Sequence, residues 1–568
     1  MLIWMVLGAA ASGARGQSAP HAAPPWWQEA VFYEIYPRSF ADSNNDGIGD
    51  LSGIRSKLGY LRDLGVDAIW ITPCFPSAQV DFGYDVTNYQ DIDPLYGNLA
   101  DFDRLVSEAK QAGIRVVLDL VLNHTSDQHP WFLDSRFSRS SAHRDWYIWR
   151  DGRGPGRPPN NWISVFGGSA WTFDPKTSQY YYHYFYAAQP DLNWRNPAVA
   201  SAMFDVTRWW YRRGVAGFRL DAVDTLFESP GLQDNPVLSG INDLGDPIQL
   251  GQYNRNLPEV HTVLKQLRTV ADEFDAVLVG ETWTSNIDEL RAYYGEHANE
   301  LQMPMDLMFA TVDKLDPAAF RRQISAIDGS GGWPVFLIGN HDRVRSYNRY
   351  GDGRHDDAIA KLMAAFYLTL RGTPILYYGE EIGMAQNDPR RPEDVKDPIG
   401  RRGWPKQKGR DGERTPMQWN AEANAGFSKT TPWLPVSPSY LTHNVASESR
   451  DPDSILNLYK RMLALRRSNP ALREGRYQAL NQDDDRLLSY LRLGHDRAVL
   501  VALNMSEAPA TATLALARQG LRNGRWRPLL TTAGSNAQGT TVSLGPFGVF
   551  IAEVPGARSA SPRRTKAQ

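Results

Sequence analysis

The sequence predicts an α/β protein: a (β/α)8 TIM barrel with a lid domain inserted after its third strand and an all-β sandwich at the C-terminal end. Three observations predict it. Short runs rich in β-branched and aromatic residues recur eight times, mostly followed by helix-like segments, and eight parallel strands close such a barrel. The interval between the third and fourth runs is too long for a loop. From about residue 475 the texture changes to short alternating strands.

Residues 1–25, "MLIWMVLGAAASGARGQSAPHAAPP", hold a short apolar run, small residues and a Pro/Ala linker. That is the pattern of a cleaved export signal, too short for a membrane span, and it predicts a periplasmic or secreted protein. No Lys or Arg precedes the apolar run, so the alternative is a cytoplasmic chain whose first residues are no signal. The first strand, "VFYEIYP" (31–37), leads into "DSNNDGIGD" (42–50). There Asp42, Asn44, Asp46 and Asp50, with the carbonyl of Ile48, offer oxygens at the intervals of a hard-cation loop. The likeness to an EF-hand ends at position twelve, where Gly53 replaces the bidentate Glu. The loop predicts one Ca²⁺ or Mg²⁺; an ion-free polar turn is the alternative.

The second and third strands are "VDAIWITP" (66–73) and "IRVVLDLVLNH" (114–124), separated by the helical pattern "LADFDRLVSEAKQAGI" (99–114). The lid follows, rich in Trp, Tyr, Gly and Pro and including "QYYYHYFYAAQPDLN" (179–193). Strands four to eight are "GVAGFRLDAV" (214–223), "AVLVGETW" (276–283), "MPMDLMF" (303–309), "PVFLIGNHD" (334–342) and "TPILYYGEE" (373–381). The pattern "AIAKLMAAFYLTLRG" (358–372) reads as a helix before the last of them, and a long excursion, 382–450, follows it. The chain thus divides into a signal and linker (1–25), barrel segments (26–123 and 195–474), the lid (124–194), a β domain (475–556) and a basic tail read as disordered (557–568).

With 61 Lys and Arg against 64 Asp and Glu, the net charge of −3 gives no electrostatic case for nucleic acid or an acidic membrane as partner. One cysteine, Cys74, excludes an intramolecular disulfide. Barrel enzymes carry their chemistry at the C-terminal ends of the strands, and here those ends read "LVLNH", "FRLD", "LVGE" and "LIGNHD". Asp221, Glu281 and Asp342 are placed to face one another across the barrel mouth. Carboxylates gathered in one cleft repel, so at least one is raised to serve as an acid beside ionised partners. Cleavage of a glycosidic bond needs such a set.

In these residues the sequence resembles the α-amylase family of glycoside hydrolases (glycoside hydrolase family 13), from about residue 28 to 556. "DLVLNH" (119–124), "GFRLDAV" (217–223), "GETW" (280–283) and "GNHD" (339–342) are similar to the family's four conserved segments. "QPDLN" (189–193) and "TPMQW" (415–419) resemble marks of its α-glucosidase and oligo-1,6-glucosidase branch. The resemblance implies Asp221 as nucleophile, Glu281 as general acid/base and Asp342 as the carboxylate gripping sugar hydroxyls. It implies Arg219 as the partner keeping Asp221 ionised, and His124 and His341 as hydrogen-bond partners of the terminal glucose. Asp81 and Tyr84, in "DFGYD", and Arg414, before "TPMQW", are implied to close the pocket around that glucose, with Tyr84 as stacking platform. In this branch the first loop carries a structural Ca²⁺ or Mg²⁺, and no organic cofactor is implied. Ala222, beside the nucleophile, is small where the branch uses Val for α-1,6 preference, which implies α-1,4-linked, maltose-type substrates.

The implied function is a retaining exo-α-glucosidase acting on small oligosaccharides, as a monomer or homodimer. A transglucosylase or sucrose isomerase on the same scaffold is the first alternative. A non-catalytic interaction module is the second; such relatives carry a membrane span and lack the carboxylates retained here.

Overall fold

In the computed structural model, residues 24–495, 497–516 and 526–554 are described. Most of the segment read as an export signal and linker (1–25), residues 1–23, and the tail (557–568) lie outside them. Eight parallel strands follow one another as the sequence predicts: β1 (Phe32–Ile35), β2 (Ala68–Ile71), β3 (Arg115–Val121), β4 (Gly217–Asp221), β5 (Val277–Gly280), β6 (Met303–Pro304), β7 (Val335–Phe336) and β8 (Thr373–Tyr377). They pair in the order β6-β5-β4-β3-β2-β1-β8-β7. Here β6 and β7 are shorter than their apolar runs suggest and are not hydrogen-bonded neighbours. Pro304 removes a ladder donor, and Asp306 starts a short helix (Leu307–Ala310) by accepting from the Phe309 N–H.

Strands of this kind are covered on both faces, hence their continuous burial. Alternation sorts the side chains. Tyr33, Ile35, Ile69, Ile71, Leu118 and Phe218 pack outward against the helices, whereas Phe32, Ala68, Val117, Val277, Val335 and Ile375 fill the interior. Gly217 is required there, because a Cβ would stand 2.4 Å from the Val277 carbonyl. In the same inward phase, nearer the C-terminal ends, the residues turn polar: Glu34, Asp119, Arg219 and Asp221 are all buried.

Helix Leu99–Gln111 is fixed at its start by a capping box between Asn98 and Asp101. The segment between β3 and β4 carries an antiparallel sheet of Trp149–Arg150, Gln179–Tyr182 and Trp171–Asp174 over a small core containing Trp162, Trp171 and Tyr182. "QPDLN" stitches this lid to the barrel, with Leu192 donating to the Asn123 carbonyl and Gln189 to the Asp81 carboxylate. "TPMQW" does the same for the segment after β8: Met417 donates to the Ser39 carbonyl and the Trp419 indole to that of Phe40. A hairpin, Val237–Ile241 with Pro247–Gln249, is exposed, and no alternation in the sequence announced it. C-terminal to the barrel, a five-stranded and a three-stranded antiparallel sheet share a core including Leu491, Leu500, Val542 and Phe550.

Glu448 is buried beside helix Ile455–Ser468, where one oxygen accepts from the Leu456 N–H at 2.9 Å. Its other oxygen has no partner among the described residues. Burial pushes this carboxyl up to about 8. The folded chain therefore keeps a proton that the unfolded chain releases near pH 4.3, and stability falls as pH rises from there to about 8. Glu448→Gln is expected to flatten that slope, so that its melting temperature relative to wild type rises between pH 5 and pH 8. Parallel melting curves of the two proteins would refute the assignment.

Candidate active site

β3, β4 and the end of β5 lie side by side, with Asp119 opposite Arg219 and Arg219 opposite Val279. This register places one guanidinium among three carboxylates. Arg219 Nη1 donates to Asp119 at 3.0 Å and to Asp221 at 2.6 Å, and Nη2 stands 2.6 Å from Glu281 Oε2. All four side chains are buried. Glu281 also accepts from the Trp283 indole and from the backbone N–H of Ala222, each at 3.0 Å. Ala222 itself adopts a left-handed conformation, φ 44° and ψ 44°.

Burial pushes the Asp221 carboxyl well above the usual carboxylate range; Arg219 pulls it down, and the charges of Glu281 and Asp119 push it up again. Burial likewise lifts Asp119 to about 6 against the pull of Arg219. Burial and the crowding of negative charge thus both favour a proton on Asp221 or Asp119. One member can then serve as acid beside an ionised neighbour.

The site opens into a cavity of about 420 Å³ whose lining includes Asp81, Tyr84, His124, Asp221, Ala222, Glu281 and Asp342. Asp85 fixes the turn that presents Asp81, accepting from the backbone N–H groups of Val80 and Asp81. Tyr84 donates to Asp119 at 3.1 Å and lies 2.6 Å from His341 Nε2, its ring stacked on the imidazole at 5.4 Å. His341 Nδ1 is 2.6 Å from Glu34. His124 lies against the lid, its ring 5.0 Å from Phe185.

The resemblance gives the pocket-closing place to Arg414, but the structure gives it to Arg410. Arg410 lines the cavity and reaches Asp81 at 2.7 Å and Asp342 at 3.1 Å. Arg414 stands behind Asp342, which it meets at 2.7 Å, and donates to the His341 carbonyl at 2.8 Å. Arg219, His341 and Arg414 do not line the cavity; each holds a residue that does. Although burial opposes ionisation, His341, Arg410 and Arg414 hold the Asp342 carboxyl well below the usual carboxylate range. Burial raises Asp81 to about 6, against Arg410 and Arg414. Part of the wall is apolar, with Val165 and Phe166 from the lid, Leu244 from the exposed hairpin, Ile399 and Trp283.

None of the residues 42–50 lines this cavity. Asp42 accepts from the N–H groups of Asn44, Asn45 and Gly47, and Asp46 from that of Ile48. Asp50 accepts from Ser43 and, as cap of helix Leu51–Ser56, from Gly53. Among the described residues no group of three or more His, Cys, Asp or Glu side chains is disposed to hold a metal ion. The expected cage of Asp42, Asn44, Asp46, the Ile48 carbonyl and Asp50 is thus not assembled, because local turns satisfy each carboxylate separately.

Residues 34–475 match the family model of the α-amylase catalytic domain. A probable α-glucosidase of Rhizobium meliloti (strain 1021) is 45% identical over 506 residues, covering 87% of this chain and 92% of the relative. An oligo-1,6-glucosidase of Heyndrickxia coagulans is 39% identical over 520 residues, covering 85% and 92%. The crystal structure of the α-glucosyl transfer enzyme XgtA superposes with a TM-score of 0.87 at 39% identity, covering 94% of this chain and 100% of the other.

Arg219→Met removes the cation shared by three buried carboxyl groups. Breaking such a set is expected to cost about 3–5 kcal/mol in chemical denaturation at pH 8. The deficit should shrink toward pH 5, where the carboxyls take up protons that the folded state favours. An equal deficit at both pH values would mean that Arg219 acts by packing alone.

Proposed function

Because this chain belongs to the α-amylase family of glycoside hydrolases, we propose that it is a retaining exo-acting α-glucosidase releasing terminal glucose from short α-glucosides. The observation that carries the reading is the pairing of Asp221 and Glu281 through one guanidinium, at a cavity walled by the Asp81–Arg410–Asp342 clamp. The family's chemistry needs no organic cofactor.

In the first step a carboxylate oxygen of Asp221 attacks the anomeric carbon. The bond to the leaving oxygen breaks, and Glu281 gives that oxygen its proton. The product is a β-glucosyl ester on Asp221. Glu281 then takes a proton from water, whose oxygen displaces Asp221 and restores the α configuration. The Trp283 indole and the Ala222 N–H hold Glu281 in place through both steps. Asp342, kept anionic by its cationic neighbours, is suited to accept hydrogen bonds from sugar hydroxyls as positive charge develops on the ring. The clamp suits a single terminal glucose, which makes the action exo.

The small Ala222 side chain on the cavity wall supports α-1,4 linkage. Its left-handed backbone adds that a β-branched residue there would be strained as well as bulky. The second reading is transfer of glucose to another acceptor. The apolar part of the wall supports it, since such a surface favours acceptors other than water, and so does the likeness to XgtA.

Proton NMR of wild type on maltose, isomaltose, sucrose and trehalose tests this reading. We expect maltose to be cleaved faster than isomaltose, α-glucose to form first, and Asp221→Asn to abolish turnover. Initial β-glucose would overturn the mechanism, and preference for isomaltose would overturn the linkage.

We also propose that the loop of residues 42–50 binds one structural Ca²⁺ or Mg²⁺, supported by the chemistry of its donors alone: carboxylate, amide and carbonyl oxygens. Stability should then rise with added Ca²⁺ or Mg²⁺ and fall with EDTA in wild type but not in Asp46→Ala, because a ligand of the folded state stabilises by mass action. Melting curves of wild type indifferent to both additions would refute it.

A further inference from the structure

Arg410 reaches the cavity from a segment without regular structure, yet its guanidinium meets three carboxylates. Asp81 and Asp342 face the cavity; the third, Asp397, does not line it and is fully buried. Asp397 Oδ2 accepts from the Arg410 backbone N–H at 2.7 Å and from Nε at 2.8 Å, and Oδ1 accepts from Nη2 at 3.1 Å. The same carboxylate caps helix Pro398–Gly403 through the Ile399 N–H at 3.2 Å. Asp397 is in turn held by Asp411, which accepts from its backbone N–H at 3.1 Å.

A helix cap needs one acceptor and no charge. Asp397 commits most of its bonds elsewhere, gripping the inner edge of the guanidinium in a fork and leaving Nη1 and Nη2 to reach Asp342 and Asp81. An arginine without that grip keeps its rotamer freedom and must lose it on binding sugar.

We propose that Asp397 is a positioning residue for recognition of the terminal glucose: it fixes Arg410 in the geometry that shapes the Asp81–Asp342 wall before sugar arrives. The proposal rests on the pocket reading given above and deepens it. Asp397 touches neither sugar nor reacting atoms; it acts through Arg410.

Asp397→Ser separates this role from capping, because serine keeps a good cap acceptor but offers no carboxylate to the guanidinium. Glucose binding is measured by calorimetry, which needs no turnover, with KM and kcat on maltose beside it. We expect Asp397→Ser to weaken glucose binding and raise KM by about tenfold or more, the loss of one buried charged partner, while kcat changes less. In an Arg410→Met background the same substitution should change glucose binding by less than about twofold, since coupled residues do not add. Wild-type affinity in a folded Asp397→Ser protein, or an equal loss in both backgrounds, would overturn the proposal. If the serine variant does not fold, Asp397→Asn, closest in shape, goes through the same cycle and decides it. Failure of the hydrolase reading shows separately, as wild type that binds glucose but releases none from any of the four sugars.

Discussion

A single buried cation, the Arg219 guanidinium, is the constraint on which the rest of the site depends. Three carboxyl groups close together inside a barrel are tolerable only with a positive charge among them. Arg219 supplies it and, having two terminal nitrogens, also sets where the carboxyls stand. Asp221 hangs from one and Glu281 from the other. The barrel makes this possible by register alone: Asp119 and Arg219 are paired neighbours on adjacent strands, and Asp221 follows two residues later in the same inward phase. Pairing with one cation does not neutralise the group, so a proton stays within it. Burial favours that proton on Asp221, so the proposed mechanism requires Asp221 to give it up before it attacks.

Outward from Arg219 the polar groups form a connected network. Asp119 receives Tyr84, which meets His341, which meets Glu34 at the end of β1. On the other side Asp342 receives Arg410 and Arg414. Such networks rigidify the groups they pair, although here Glu34 Oε2, Arg219 Nε and Arg414 Nη1 have no partner among the described residues. Rigidity is what the proposed chemistry requires, because dipoles and charges already in place need not reorganise when the transition state forms. The network also explains why residues without a face on the cavity matter to it: His341 supports the Tyr84 ring, and Arg414 supports Asp342.

Much of this was legible in the sequence, and what was not has identifiable causes. The eight apolar runs gave the strands because strands covered on both faces must be continuously apolar. The polar residues that end those runs gave Asp221, Glu281 and Asp342 as a group. Asp119 and Glu34 escaped notice although both lie within quoted strands. A carboxylate inside an apolar run carries no local sign of its partner, and Arg219 is 100 residues from Asp119. The choice between Arg410 and Arg414 was decided by tertiary structure, since two arginines four residues apart in an irregular segment have no periodicity to aim them. The left-handed turn at Ala222 was invisible for a related reason: alanine gives no hint of positive φ, and the partner of its N–H, Glu281, is distant in sequence. The loop of residues 42–50 is the case in which spacing leaves two readings open. Its spacing reads as a cage, yet the same side chains also satisfy local turns, and spacing alone cannot tell the two apart.

The insertions complete the argument from barrel to pocket. A bare barrel mouth is an open dish, with the reactive carboxyls facing water. Here the lid brings Phe166 and Phe185, and the segment after β8 brings Arg410 and Ile399, so that a cavity stands where the dish would be. Each insertion is tied back at its base, the lid through Leu192 and Gln189 and the later segment through Met417 and Trp419. Arg410 also reaches across to Asp81 in the loop after β2. The walls of the pocket therefore depend on these ties as well as on the barrel. In the proposed mechanism the reacting pair stands at the ends of β4 and β5, while apart from neighbours such as Ala222 and Trp283 much of the wall comes from the lid and the segment after β8, so the accepted sugar can change while the reaction stays constant.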